Sequence, residues 1–290
     1  DIRYIHRIIG PCDVYFLSNQ QEEYLDLEAS FRQDPGRNIS LWDPSNGKIT
    51  LPADINRSLQ NRLVATIRLA PYGSVFAVIT DHEVDHEPGL EIVDEKRIRT
   101  DWELHFQENR GAPAEVLVLD ELMDWTSHED FGVRHFSGTG SYSSWISIDE
   151  NALNDSKHIL LDLGEVRQMA EVLVNGKAVE VLWKPPFRTD ITDFLKAGEN
   201  RLEVRVTNLW VNRLIGDAYF PDEAEWKDAR DATLMKTWPE WLINGESRPE
   251  SDRVTWSTRG KIYSREDPLL PSGLMGPVSL LFAEPVSFEE

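Results

Sequence analysis

One cysteine, Cys12, occurs in 290 residues, which excludes an internal disulfide framework and any zinc cluster built on cysteine. Beside a strand-like apolar run it reads as a buried structural thiol rather than a nucleophile. No run of 18 apolar residues is present, and the opening DIRYIHRIIG has no long apolar core, so neither a membrane helix nor a signal peptide is expected, and the start reads as that of a fragment or processed product. Basic residues are scarce: 30 Lys+Arg face 51 Asp+Glu, a formal net charge of -21. A nucleic-acid backbone or an anionic membrane would be repelled, so neither is an expected partner. Also missing are G-x-S-x-G, a P-loop and G-x-G-x-x-G.

What is present is two-residue alternation. Leu25, Leu27, Ala29 and Phe31 alternate with polar neighbours, and the same period recurs at Leu63–Leu69, Trp102–Phe106, Ile159–Leu163 and Leu202–Val206. Apolar runs at Val14–Leu17 and Val75–Ile79 suit deeper strands. Asn46-Gly47, Asn175-Gly176 and Asn244-Gly245 supply the positive φ angles of tight hairpins, which points to antiparallel sheet. Helix signals are few. Thr192 is placed to cap a turn through Leu195 ended by Gly198, and Trp226–Trp238 could hold a short helix stopped near Pro239. The expectation is an all-β chain of two β-sandwich domains, because 290 residues exceed one ordinary domain. The charged stretch from Asp81 to Arg97 sets the boundaries: residues 1–88 form the first sandwich, 89–134 a linker with the first strands of the second unit, and 135–290 the second sandwich.

His82-Glu83-Val84-Asp85-His86 matches H-E-x-x-H, a zinc-protease pattern that needs a helix to bring both imidazoles to one face. It follows a strand and runs into Pro88-Gly89, so a solvated linker is the reading adopted. The acidic residues are too many for linear spacing to nominate a glycosidase acid and base. The tryptophans are more informative. Six of the ten, Trp183, Trp210, Trp226, Trp238, Trp241 and Trp256, fall in about a quarter of the chain. Their neighbours include Arg188, Asn208, Asn212, Arg213, Asp217 and Asn244. Flat rings beside hydrogen-bonding groups suit the faces and hydroxyls of sugars, while tryptophans equally fill sandwich cores.

The stretch VNGKAVEVLWKPPFRTDITDFLKAGENRLEVRVTNLW, Val174 to Trp210, resembles the sugar-binding jelly roll of glycoside hydrolase family 2. The ordered blocks HFSGTGSYSSW, LDLGEV, LWKPPFRTDIT, NLWVNRLIGD, WPEWL and DPLLPSGLMGPV are similar to the C-terminal region of family 106 α-L-rhamnosidase-like proteins. YIHR, VYFLSNQ, LWDPSNGKI and LAPYGSVF extend that likeness over the first domain. The resemblance implies a bacterial, exported, multidomain glycosidase whose catalytic barrel lies N-terminal to this region. A barrel needs about 250 residues of alternating strand and helix, for which this chain has no room, so no catalytic residue is carried over.

It also implies that the second domain is a galactose-binding-like jelly roll whose partner is carbohydrate from plant cell walls, with Trp183, Arg188, Asn208, Trp210, Asn212, Arg213, Trp238 and Trp241 as candidate contacts. Such domains often hold a structural Ca²⁺, for which the acidic loop Asp217–Glu225 offers oxygen ligands. Two other roles stay open: a module docking against the barrel, and an enzyme in its own right, whether a metalloprotease or a glycosidase with its site between the sandwiches.

Overall fold

The computed structural model of the chain describes residues 2–58, 62–155, 158–229, 232–257, 259–260 and 262–286. The chain divides into two compact units, Asp1–Asp94 with Phe282–Glu290, and Glu95–Leu281. The stretch 89–134 therefore spans the division, and the strand beginning at Trp102 lies in the second unit.

Lying wholly within the first unit are β1 (Ile2–Ile9), β2 (Cys12–Asn19), β3 (Leu25–Phe31), β4 (Asn38–Trp42), β5 (Ile49–Thr50), β6 (Asp54–Ser58), β7 (Arg62–Leu69) and β8 (Ser74–Thr80). They form two antiparallel sheets, ordered β1-β2-β8-β4-β5 and β3-β7-β6. Alternation decides which side chains go inward. Leu63, Ala65, Ile67 and Leu69 of β7 are buried together with Leu17, Ile39, Leu41, Val75, Ala77 and Ile79 from the other sheet. Each large side chain buried this way contributes about 1.5–3 kcal/mol. Cys12 is only half-buried, opposite Ile9 where the β1–β2 hairpin closes.

The second unit uses β9 (Leu90–Arg97), β10 (Trp102–Phe106), β11 (Leu117–Leu119), β12 (Thr139–Ile148), β13 (His158–Asp162), β14 (Glu165–Arg167), β15 (Met169–Val174), β16 (Lys177–Leu182), β17 (Arg188–Asp190), β18 (Gly198–Thr207), β19 (Trp226–Ala229), β20 (Ala232–Met235), β21 (Arg259–Gly260), β22 (Gly273–Gly276) and β23 (Ser279–Pro285). Its larger sheet runs β11-β10-β12-β18-β15-β16 and its second β17-β13-β23-β9, the unit taking β9 from Glu95 and β23 up to Leu281. Short helices are α1 (Phe131–Arg134), α2 (Glu150–Asp155), α3 (Val211–Asp217) and α4 (Glu240–Ile243). Tyr142, Ile146, Leu202, Val204, Val206, Ala170, Val172 and Val174 from the first sheet, with Ile159 and Leu161 from the second, are buried. This is the all-β sandwich expected from the alternation.

Trp125 belongs to this core. Its Nε1–H donates to the Tyr142 hydroxyl at 2.6 Å, and that hydroxyl also accepts from the Leu274 N–H at 3.1 Å. Phe106 and Phe136 meet the Trp125 ring edge-on, and burial pushes the Tyr142 phenol upward. Close backbone approach is needed here: a Cβ on Gly140 would stand 2.6 Å from Trp125 Cζ2.

Three local expectations are corrected. Trp226–Trp238 is not a helix: β19 and β20 pair antiparallel there, Trp226 opposite Met235. The helix comes after Pro239, which suits a helix start because it has no N–H to leave unpaired. Asn244-Gly245 ends α4 rather than closing a hairpin, with Asn244 helical and Gly245 at φ 69°. Asn175-Gly176 does close the β15–β16 hairpin, at φ 52° and 78°. Thr192 starts a 3-10 turn to Phe194 instead of capping it: its hydroxyl accepts from the Ile159 N–H and donates to Asp190.

Candidate functional site

Strand register brings Trp183, Arg188 and the segment from Asn208 that carries Trp210, Asn212 and Arg213 to one end of the second unit, and Trp238 and Trp241 lie further along that segment. Thr207, the last residue of β18, stands opposite Thr139 at the start of β12 and opposite Met169 at the start of β15. Leu182, the last of β16, pairs with Ala170, which pairs with Val206. The crossing Trp183–Phe187 and the segment that starts at Asn208 therefore leave the sheet from the same end. Arg188 opens β17 opposite Asp162, the last residue of β13, and the Leu163 N–H donates to the Phe187 carbonyl at 2.9 Å.

The polar members of that set are occupied in holding the loops. Asn208 donates to the Phe136 carbonyl at 2.8 Å and accepts from the Gly138 N–H at 3.0 Å. Asn212, 1% exposed, donates to the Leu270 carbonyl at 2.7 Å and accepts the Leu270 N–H at 2.8 Å. Both also donate to Ser272 Oγ at 3.0 Å. Arg213, 2% exposed, pairs with Asp217 at 3.0 Å and lies over the Phe131 ring. Burial pulls its guanidinium downward against the pull of Asp217. The structure places Asn212 and Arg213 inside the unit as buried anchors, Asn212 with its amide hydrogen bonds committed and Arg213 with its charge met by Asp217, while Arg213 Nε and Nη2 have no hydrogen-bond partner among the described residues. Arg188 is held by Asp162 at 2.5 Å.

The rings behave otherwise. Trp183, Trp210 and Trp238 are 60%, 47% and 58% exposed. The Arg110 guanidinium lies 4.8 Å over Trp210, and Lys184 Nζ 5.8 Å from the Trp183 ring centre. Trp241 is half-buried and meets Trp256 edge-on, centres 5.2 Å apart.

A cleft of about 530 Å³ opens beyond α3, lined among others by Asp217, Glu223, Trp226, Arg253, Trp256 and Tyr263. Charge pairs tie its walls together. Asp217, the last residue of α3, accepts the N–H groups of Val254 at 3.1 Å and Thr255 at 2.7 Å. Arg253 donates to the carbonyls of Pro221 at 2.8 Å and Phe220 at 3.0 Å, and to Asp222 at 2.7 Å. Arg248 donates to Glu223 at 3.0 Å and to the Arg253 carbonyl at 2.9 Å, while the Ser251 hydroxyl donates to the same carboxylate. Burial pushes Glu223 up, but the hydrogen bonds from Arg248 and Ser251 outweigh it and hold the carboxyl below its usual value. Trp226 Nε1 is buried with no hydrogen-bond partner among the described residues.

Sequence reasoning singled out the tryptophans of this cleft and its acidic loop but not Arg248, Arg253 or Tyr263. These lie along irregular chain, so no periodic pattern joins them. The carboxylates of Asp217–Glu225 that offered oxygen ligands for Ca²⁺ are met by Arg213, Arg253, Arg248 and Lys236. Among the described residues no group of three His, Cys, Asp or Glu is placed to hold a metal ion. Residues 83–89 are not helical, so His82 and His86 lack the scaffold that the protease pattern requires. Among the described residues no helix is long and apolar enough to cross a membrane.

Comparison with known proteins gives two family matches. Residues 124–283 match the family described as glycosyl hydrolases family 2, sugar binding domain, and residues 1–52 match alpha-L-rhamnosidase. A rhamnosidase from Novosphingobium sp. PP1Y superposes with a TM-score of 0.73 at 32% identity, over 98% of this chain and 24% of its own. A putative beta-glucuronidase of Formosa agariphila is 42% identical over 184 residues, which are 62% of this chain and 15% of the relative. The chain thus spans a quarter or less of these proteins.

Proposed function

We propose, from the premise that this chain belongs through residues 124–283 to the glycosyl hydrolase family 2 sugar-binding domain family, that its second unit binds saccharide as an accessory part of a longer, exported glycoside hydrolase. The chain is a glycoside-hydrolase-related sugar-binding region; its ligands on this reading are rhamnose-containing or other plant cell-wall oligosaccharides, and its own hydrolytic activity is nil. One observation carries the reading. The strand register gathers Trp183, Trp210 and the cleft-bearing segment after Asn208 at one end of the sandwich, which is where loops on a rigid scaffold present binding groups.

The tryptophans of this region, those of the cleft included, supply apolar platforms, and the loops around the cleft are anchored, so little conformational entropy is left to lose on binding. Affinity electrophoresis through gels containing pectic polysaccharide tests it. Retarded migration of the chain, with no release of sugar from aryl α-L-rhamnoside, is expected. Unretarded migration in every gel, or hydrolysis by the chain alone, overturns the proposal.

A second reading is favoured by β1. Tyr4, Ile5, Ile8 and Ile9 of this edge strand are all exposed, and an uncovered apolar edge is what a docking module presents to a neighbouring domain. Arg and Glu replacements at Ile5 and Ile8 should then weaken association with a separately produced catalytic domain and leave sugar binding unchanged.

A further inference from the structure

Resting on the reading of a saccharide-binding unit, we infer that the saccharide seats in the cleft between the end of α3 and residues 253–257 and 262–266, against Trp226 and Trp256, and not on the exposed rings of Trp183, Trp210 and Trp238. The ligand class is a neutral, hydroxyl-rich unit of one or two sugar rings, such as a chain end or a side branch.

The size of the cleft sets the first limit. At about 530 Å³ it lies in the range of small-ligand sites, roughly 300–1,000 Å³, enough to enclose a mono- or disaccharide. Trp183, Trp210 and Trp238 are not among the residues that line this cleft. Trp210 is already covered on one face by Arg110, and a ring about half exposed presents a single surface rather than an enclosure.

Wall chemistry sets the second. Trp226, Trp256 and Tyr263 supply ring faces for the C–H side of a pyranose. Asp222, Glu223 and Glu266 supply acceptor oxygens. Each of those carboxylates is paired with a guanidinium, from Arg253, Arg248 and Arg265 respectively. The cleft lining carries four carboxylates, Asp217, Asp222, Glu223 and Glu266, against two guanidiniums, Arg253 and Arg265, so its wall holds an excess of negative charge with lone pairs left for sugar hydroxyls. A ligand carboxylate would give up its hydration without gaining an uncommitted cation from these pairs. Neutral sugars are therefore favoured over uronates.

Rigidity is the third argument. Asp217 fixes Val254 and Thr255, the residues directly before Trp256, and Trp241 meets that ring edge-on. Arg253 ties residues 220–222 to the opposite wall. Charge-assisted hydrogen bonds join the segments that line the cleft, which leaves its walls little freedom to lose on binding.

The test labels the full chain with 5-fluorotryptophan and assigns each resonance by single Trp→Phe replacement. L-rhamnose, methyl α-L-rhamnopyranoside, galactobiose and galacturonic acid dimer are then titrated while ¹⁹F spectra are recorded. Saturable shifts of the Trp226 and Trp256 signals are expected, with the neutral sugars binding about tenfold more tightly than the uronate dimer, a difference of about 1.4 kcal/mol. Asp222→Asn, which releases Arg253, should narrow that preference. Shifts confined to Trp183, Trp210 or Trp238, or tighter binding of the uronate, overturn the inference while the saccharide-binding reading stands. No shift of any signal up to the solubility of the sugars overturns both. The labelled wild-type chain reports the location directly, so the result does not depend on a cleft variant that folds poorly.

Discussion

The Asp217 carboxylate, 2% exposed at the end of α3, accepts the backbone N–H of Thr255 at 2.7 Å and so joins a helix of the sandwich end to a loop 38 residues further along the chain. The same carboxylate faces the buried guanidinium of Arg213. One side chain thus closes a long loop and compensates a buried charge, and the position of Trp256 follows from it.

Asp217→Ala should destabilise the chain by about 3–5 kcal/mol, because it leaves Arg213 buried without a counter-charge. Urea unfolding followed by tryptophan fluorescence measures this. A loss under about 1 kcal/mol, the worth of an exposed pair, would show that the pair is not buried in solution.

Gly140→Ala should cost about 1–3 kcal/mol through overpacking. The new methyl would lie 2.6 Å from Trp125 Cζ2, and Trp125 cannot retreat without breaking its bond to Tyr142. A thermal midpoint within error of the parent's would mean that this aromatic core is looser than described.

His135 makes stability fall as the medium is acidified below neutrality. It is 3% exposed, and burial, helped by the nearby charges of Arg134 and Arg213, lowers it from 6.5 despite the opposing bond to the Phe131 carbonyl. The unfolded chain then takes up its proton first as pH falls through about 6.5, so stability declines between that point and the lower folded value. Unfolding midpoints collected from pH 7.5 to pH 5, in the parent and in His135→Gln, should give a slope that the variant flattens. Identical slopes would contradict it.

Asp190 acts in the opposite range. Burial pushes its carboxyl up, but Thr192 and His158 outweigh that and hold it below 3.8. Its stabilisation is present above 3.8 and is lost as pH falls through the folded value. Asp190→Asn should therefore weaken the chain more at pH 6 than at pH 2, and an equal effect at both would show that the ionised form is not what matters.

Much of the scaffold is legible in the sequence because burial on one face imposes a two-residue period. Leu63, Ala65, Ile67 and Leu69 declare their strand and their inward face together, and Asn175-Gly176 names a turn that few other pairs can make. The segment from Pro221 to Leu270 is harder to read. β19 and β20 are a short hairpin whose amphipathicity is weak, and Asn244-Gly245 fits a helix end as well as a hairpin. Burial of Arg213 was illegible for a different reason: a charge goes inside only when a partner such as Asp217 and the small walls of Gly111 and Gly216 are folded around it, and long-range coincidence of that kind leaves no local pattern. The rings of the site were visible in the sequence, whereas the salt bridges that aim them were not.

Isothermal titration of the whole chain with neutral rhamnose-containing oligosaccharides tests the central claim most directly. The account predicts saturable heat at one site, with a dissociation constant in the micromolar-to-millimolar range, that disappears when Trp226 and Trp256 are replaced together. Heat no greater than dilution for every saccharide offered to a folded chain would contradict it.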